Sequence, residues 1–416
     1  MARTDLGDPA ALRQLLISRG MRSDADDEAM LAAARSAKHK LHITVLSARE
    51  SAGQSLSPEQ QAELAAYRHR LEQYRAAWSI VADAAPHAQV VKGWTIGDHY
   101  PPGLLRSAGD LDVVCPPGEL WGAARALIDR GWELEAMTIF PSGPASAPSC
   151  SAPSRSAPSD VSDRCHVLMA VTRPSDCDLI EDAYDVELRT ADVATSIRVP
   201  ARALNGNSLS PAAANVLALA AERWERPFRS RDVYDLAILA GQLDRAGLDS
   251  LGGALTATML WPQMRELSRL LRRSGLAAEP AQPGRRREAW RARAARLRRS
   301  SALWSNPLRV AGLASISTTD ADRGALADRL AHAVQRRIGS WRLLRLGLPL
   351  FAVPLTSVPV PVPVPGPGPA DSRADVDGLK LERRGPHLIA RTPIGSFLLV
   401  AGSCPQAWLE EVSGRR

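Results

Sequence analysis

Asp110-Leu111-Asp112-Val113-Val114, closed by Pro116, Pro117 and Gly118, is the stretch that most narrows what this chain can fold into. A short β-branched run stopped by Pro and Gly predicts a strand. Side chains alternate faces along a strand, so Asp110 and Asp112 share one face while Leu111 and Val113 point into a core. Two adjacent carboxylates repel, and burying the pair forces one to give up its charge unless a cation lies between them. Hard oxygen donors suit Mg²⁺ or Mn²⁺, and Mg²⁺ typically takes one or two carboxylates together with substrate phosphates. The bland alternative is an Asp-x-Asp on the solvent face of an edge strand. Context upstream argues against it.

That context is a short apolar run, Val90-Val91, ending in Lys92-Gly93, with Thr95 to His99 able to start a helix. Gly after a strand lets backbone N–H groups approach a phosphate closely, and a helix N-terminus favours the anion further. Arg106, four residues before Asp110, adds a guanidinium that grips phosphate oxygens in a fork. A phosphate cradle, a cation and a carboxylate pair in one segment make a constellation for handling a nucleoside triphosphate.

Lys92-Gly93, a short helix ending at Tyr100-Pro101, and Arg106-x-x-x-Asp110-Leu111-Asp112 together resemble the bacterial nucleotidyltransferase-like proteins of the DNA polymerase β superfamily. The resemblance runs from about Ala34 to Leu239. It implies an α+β fold: a small mixed-sheet nucleotidyltransferase core flanked by N-terminal and C-terminal helical regions. It also implies that Asp110 and Asp112 hold metal, with a third acid on a neighbouring strand. Two places offer that acid, Val186-Glu187-Leu188 within Tyr184–Arg189 and Cys177-Asp178-Leu179. Glu187 is preferred, on the better strand and where the family keeps its third acid, with Asp185 assigned to the opposite face. Two departures stand out. Trp94 follows Gly93 where the wider superfamily has Gly or Ser, and Glu187-Leu188-Arg189 replaces an Asp-hydrophobic-His common among relatives.

The activity so implied is transfer of a nucleoside monophosphate from a nucleoside triphosphate to a hydroxyl or other acceptor, with release of pyrophosphate. Asp110, Asp112 and Glu187 would be catalytic and hold Mg²⁺ or Mn²⁺, while Lys92, Gly93 and Arg106 would hold the triphosphate. The alternative is a catalytically degenerate member of the fold that binds nucleotide or a partner.

The remaining chain divides by composition. Residues 1–88 are helical by pattern, with Ser57-Pro58-Glu59-Gln60 a helix start that combines an N-cap, a Pro at the first position and a capping box. Ala62, Ala65, Leu71, Ala76 and Ile80 are predicted to form the apolar side of that helix. His39, His42 and His69 have no acid or cysteine at metal-ligand spacing and receive no role. The core spans 89–200, with a helix over Glu119–Arg130 and a Ser/Ala/Pro-rich insert at 141–160 that lacks the apolar content to order itself. Residues 201–345 read as a helical domain, opened by Ser210-Pro211. Within it, Arg229-Ser230-Arg231-Asp232-Val233-Tyr234-Asp235-Leu236 resembles a block near the substrate cleft of relatives. Arg231 and Asp235 are equally well placed for an ordinary i, i+4 ion pair.

Arg285 to Arg299, in the Arg-rich segment 284–300, forms a basic stripe around Trp290. It is suited to tRNA or another polyanion, or equally to a solvated helix face. A net charge of +7 adds only modest attraction for polyanions. A Pro-rich linker at 346–372 leads to a β-rich tail, 373–416, predicted as a two-stranded piece that docks on the body or on a partner. Five scattered cysteines without Cys-x-x-Cys indicate neither a disulfide framework nor a zinc site. The absence of an apolar leader or membrane-length run makes a reducing cytoplasm the expected home.

Overall fold

A computed structural model describes residues 6–141, 165–176, 183–190, 209–223, 226–257, 260–276, 332–345, 349–355, 378–402 and 404–413. The insert from 142 onward, Cys177-Asp178-Leu179, the Arg285–Arg299 stripe and the Val358–Pro369 run lie outside the described residues.

The helical start holds: α1 (Pro9–Ser18), α2 (Asp27–Arg35), α3 (His42–Ser51) and the long α4 (Pro58–Ala84) precede the first strand. At the head of α4, Ser57 Oγ accepts from Gln60 N at 3.3 Å and Gln60 Oε1 accepts from Ser57 N at 3.1 Å, so the capping box forms. The buried side of α4 differs from the expected one. Leu64, Tyr67, Arg70, Tyr74, Ala77 and Val81 face inward, whereas Ala62, Ala65 and Ala76 are exposed. Alanines in a helix favour no side by themselves; here the bulky Tyr and Leu side chains decide which way it turns.

Strands β1 (Gln89–Val91), β2 (Asp110–Val114), β3 (Glu133–Pro141), β4 (Cys165–Pro174) and β5 (Ala183–Arg189) follow, with α5 (Gly93–Gly97) between β1 and β2 and α6 (Leu120–Ile128) between β2 and β3. Helices α7 (Pro211–Glu222), α8 (Ser230–Ala240), α9 (Arg245–Ala257) and α10 (Trp261–Ser274) come next. After them lie α11 (Ser340–Arg345), β6 (Leu350–Pro354), β7 (Lys380–Arg384), β8 (His387–Thr392), β9 (Gly395–Val400) and α12 (Gln406–Ser413).

The described strands form one nine-stranded mixed sheet in the order β1-β2-β5-β4-β3-β6-β9-β8-β7, so the chain is α+β. The β2–β5 pair is parallel, and β1–β2, β4–β5 and β3–β4 are antiparallel. The tail is therefore more than a docked hairpin. Three strands of it join the main sheet through β6, which pairs with β3 on one side and β9 on the other. A lone hairpin is marginal in water, and pairing with a pre-formed sheet supplies the missing neighbour.

One sheet face carries Leu111, Val113, Val167, Met169, Val171, Val186 and Leu188 and packs under the C-terminal half of α4 and under α6. A second core joins α1–α3 and the first turns of α4 to α7–α10. The helical segments on either side of the sheet in sequence thus share one interior. Because Leu64 and Tyr67 lie in the helical core while Tyr74, Ala77 and Val81 lie in the sheet core, α4 is the rod common to both. Among the described residues no helix is long and apolar enough to cross a membrane.

Candidate active site

The β2–β5 register builds the site. Asp110 pairs with Asp185 and Asp112 with Glu187 across the parallel strands. Paired residues of neighbouring strands project to the same side, so all four carboxylates share the face opposite the α4–α6 core. This corrects the expectation for Asp185: residues two apart on a strand point the same way, and Asp185 and Glu187 both line one pocket. The pocket, about 400 Å³, is bounded by Asp110, Glu135, Thr172, Asp185 and Glu187 and floored by small residues that include Ala170 and Ala183. Glu135 reaches it from a register shift in β3 between Leu134 and Ala136, where a bulge re-aims the side chain.

The Lys92–Gly93 turn lies beside these carboxylates. Lys92 Nζ is 3.1 Å from Asp112 Oδ2 and donates a 2.5 Å hydrogen bond to Glu222 Oε1 of α7. Lys92 has φ +60° and Gly93 φ +48°, and the first is a sparsely populated conformation for a lysine. Two contacts hold it there. Lys92 N donates to Asn215 Oδ1 at 2.7 Å, and Thr95 Oγ1 donates to Lys92 O at 2.6 Å. The helix α5 is barely more than one turn, so its dipole adds little to anion binding at Gly93.

Arg106, expected to grip phosphate, is committed to internal partners in this structure. Its guanidinium is buried and meets Asp235 through Nε at 3.0 and 3.1 Å and Nη2 at 2.8 Å, while Nη1 donates to Gly93 O at 3.3 Å. Burial opposes the charge, but Asp235 outweighs it and holds the guanidinium above its ordinary value. Arg106 thus braces the glycine turn from behind. Asp235 being committed to Arg106 and Tyr100, Arg231 turns instead to Ser107 O at 2.7 Å, and the i, i+4 pair with Asp235 is not what forms.

The charges of the site are unevenly balanced. Asp112, 2 % exposed, has Lys92 on one oxygen and Arg189 Nη1 3.7 Å from the other, and Arg189 also lies 3.3 Å from Glu187. Glu187 is pushed up to about 8, chiefly by desolvation and then by the charge of Asp112. Asp110 is raised by the same two causes, although it stands at the exposed start of β2. Glu222 goes the other way, to about 2: burial works against its charge, but Lys92 and Arg226 override it.

These oxygen donors suit a hard divalent cation, which would also offset the repulsion that Asp112 exerts on Asp110 and Glu187. Asp112 is already paired with Lys92 and Arg189, and the acids that line the pocket are Asp110, Glu135, Asp185 and Glu187, of which Asp110, Asp185 and Glu187 stand on the paired strands β2 and β5. Among the described residues no three His, Cys, Asp or Glu side chains already stand in an ion-holding arrangement. Closure on an ion would require the carboxylates to change rotamer.

Asn215 and Glu222 escaped the sequence reading, although α7 carried a signal. In Pro-Ala-Ala-Ala-Asn-Val-Leu-Ala-Leu-Ala-Ala-Glu they are the two polar residues of an otherwise apolar helix, two turns apart on one face. Both reach the Lys92 turn. His39 is buried with Nδ1 2.6 Å from Ser230 Oγ and is pushed down to about 4 mainly by burial. Comparison of the chain with protein-family models, with curated proteins and with solved structures gives no match.

Proposed function

We propose that this protein is a metal-dependent nucleotidyltransferase, moving a nucleoside monophosphate from a nucleoside triphosphate to an acceptor hydroxyl. The observation that carries the reading is the register Asp110–Asp185 and Asp112–Glu187 on adjacent parallel strands, set against the strained Lys92–Gly93 turn. Asp110, Asp185 and Glu187 would hold Mg²⁺ or Mn²⁺, which when bound offsets the charge of the triphosphate. Lys92, the cation nearest the carboxylates from the turn, would face the phosphate oxygens. In the reaction the acceptor O–H breaks and its oxygen bonds to the α-phosphorus. The α–β phosphoanhydride bond breaks, and its electron pair leaves with pyrophosphate. The released proton passes to a carboxylate of the face.

Incubation with α-labelled nucleoside triphosphates, Mg²⁺ and a cell extract tests this. Label in an acceptor with the native protein, and none with Asp110→Asn, is the expected result.

A second reading, binding of nucleotide without turnover, is favoured by Lys92 and Arg189 already neutralising Asp112. Calorimetric titration with ATP and Mg²⁺ that shows binding, with no label transferred, would select it.

A further inference from the structure

Behind the carboxylate face, two side chains of α4 tie the starts of β2 and β5 together. Arg70 Nη2 donates to Ala183 O at 2.6 Å, to Gly109 O at 3.1 Å and to Tyr74 Oη at 2.9 Å. Tyr74 Oη donates to Gly109 O at 2.5 Å and accepts from Asp185 N at 3.4 Å. Both side chains are buried, 2 % and 1 % exposed. The Tyr184 ring meets Tyr74 edge-on at 6.0 Å, and the Arg70 guanidinium lies 5.3 Å and 5.1 Å from the Tyr74 and Tyr184 ring centroids.

The backbone groups gripped are those next to Asp110 and those around Asp185, the facing pair at the start of the parallel ladder. Strand ends are where a ladder frays, and this one carries two like charges opposite each other, which pushes it apart. We propose that Arg70 and Tyr74 are positioning residues that fix the separation of the Asp110 and Asp185 backbones, so that a rotamer change alone brings both carboxylates onto one divalent ion. The inference rests on the nucleotidyltransferase reading, in which Asp110 and Asp185 both hold the ion. Arg70 and Tyr74 reach the strands from the α4 side and hold them by backbone groups.

The test is Mn²⁺ binding, followed by the loss of the free-ion electron paramagnetic resonance signal, in the native protein and in Tyr74→Phe, Arg70→Lys and Tyr100→Phe. Tyr100→Phe removes a buried hydroxyl that donates to Asp235 in the helical core, so it reports loss of stability without loss of the clamp. Supporting groups behind metal ligands govern affinity by roughly 10- to 100-fold. Tyr74→Phe and Arg70→Lys are expected to weaken Mn²⁺ binding within that range, with Tyr100→Phe matching the native protein. Should one of the two clamp variants fail to fold, the other carries the comparison. Native affinity in both clamp variants, or an equal loss in Tyr100→Phe, overturns the positioning role while leaving the proposed function standing. No Mn²⁺ binding by the native protein at millimolar ion removes the metal from the proposed function, and the clamp proposal with it.

Discussion

Lys92 and Asp112 face each other at 3.1 Å across the start of the sheet, and that contact ties the glycine turn, the carboxylate strand and helix α7 into one electrostatic unit. The same ammonium binds Glu222, so one lysine neutralises two acids. Lys92→Met would strand both carboxylates with their positive neighbour gone. Removing one partner of a buried pair typically costs about 3–5 kcal/mol, and a loss toward the lower end is expected because Arg189 and Arg226 remain nearby. Urea unfolding of Lys92→Met and of Lys92→Met/Glu222→Gln measures it, and the double variant should recover part of the loss.

Arg106 offers a contrasting case, because its role is internal. Arg106→Ala leaves Asp235, 0 % exposed, without its guanidinium and is expected to destabilise the fold by about 3–5 kcal/mol. Denaturant midpoints check this. Because Arg106 also braces the Gly93 turn, nucleotide binding is expected to weaken in Arg106→Ala even where the chain stays folded.

Glu187 makes the site sensitive to pH. In the folded chain its proton is held up to about 8, against an ordinary value of 4.5, because of burial first and the neighbouring charge of Asp112 second. The folded state therefore binds the extra proton between these values. The stability Glu187 contributes is complete below 4.5 and is lost as pH rises through 8. Glu187→Gln should flatten that decline in thermal-melt series across the window. Cation binding must displace the same proton, so Mn²⁺ affinity is expected to climb with pH toward 8 in the native protein, and Glu187→Gln should lack this rise.

The C-terminal strands are predicted to melt with the body. Leu399 is fully buried in the sheet core, and Leu399→Ala should cost about 2–5 kcal/mol. Because β6 joins β9 to β3, that loss should shift one shared calorimetric transition. A separate low-temperature transition for the tail would contradict the continuous sheet.

Much of this was legible in the residues themselves. The Asp-x-Asp strand, the capping box of α4 and the Pro-initiated α7 are local signals, and local signals survive into the structure because nothing distant competes with them. Partner choice was not legible. Arg106 has one acid, Asp110, four residues ahead and another, Asp235, at the sixth position of α8, and only the fold brings Asp235 to it. The inward side of α4 is set by Tyr67, Arg70 and Tyr74 meeting strands far along the chain. The placement of Asp185 is a different matter: strand alternation alone puts it on the face of Glu187, and the sequence contained that answer.

The proposed activity requires a divalent ion on the β2–β5 face beside the Lys92 turn. Crystals soaked with Mn²⁺ and a non-hydrolysable nucleoside triphosphate analogue, measured for anomalous scattering, locate the ion directly. The predicted result is a Mn²⁺ peak among Asp110, Asp185 and Glu187, with phosphate density reaching toward Lys92. An empty face in crystals that bind Mn²⁺ elsewhere, or phosphate density remote from Lys92, would contradict it.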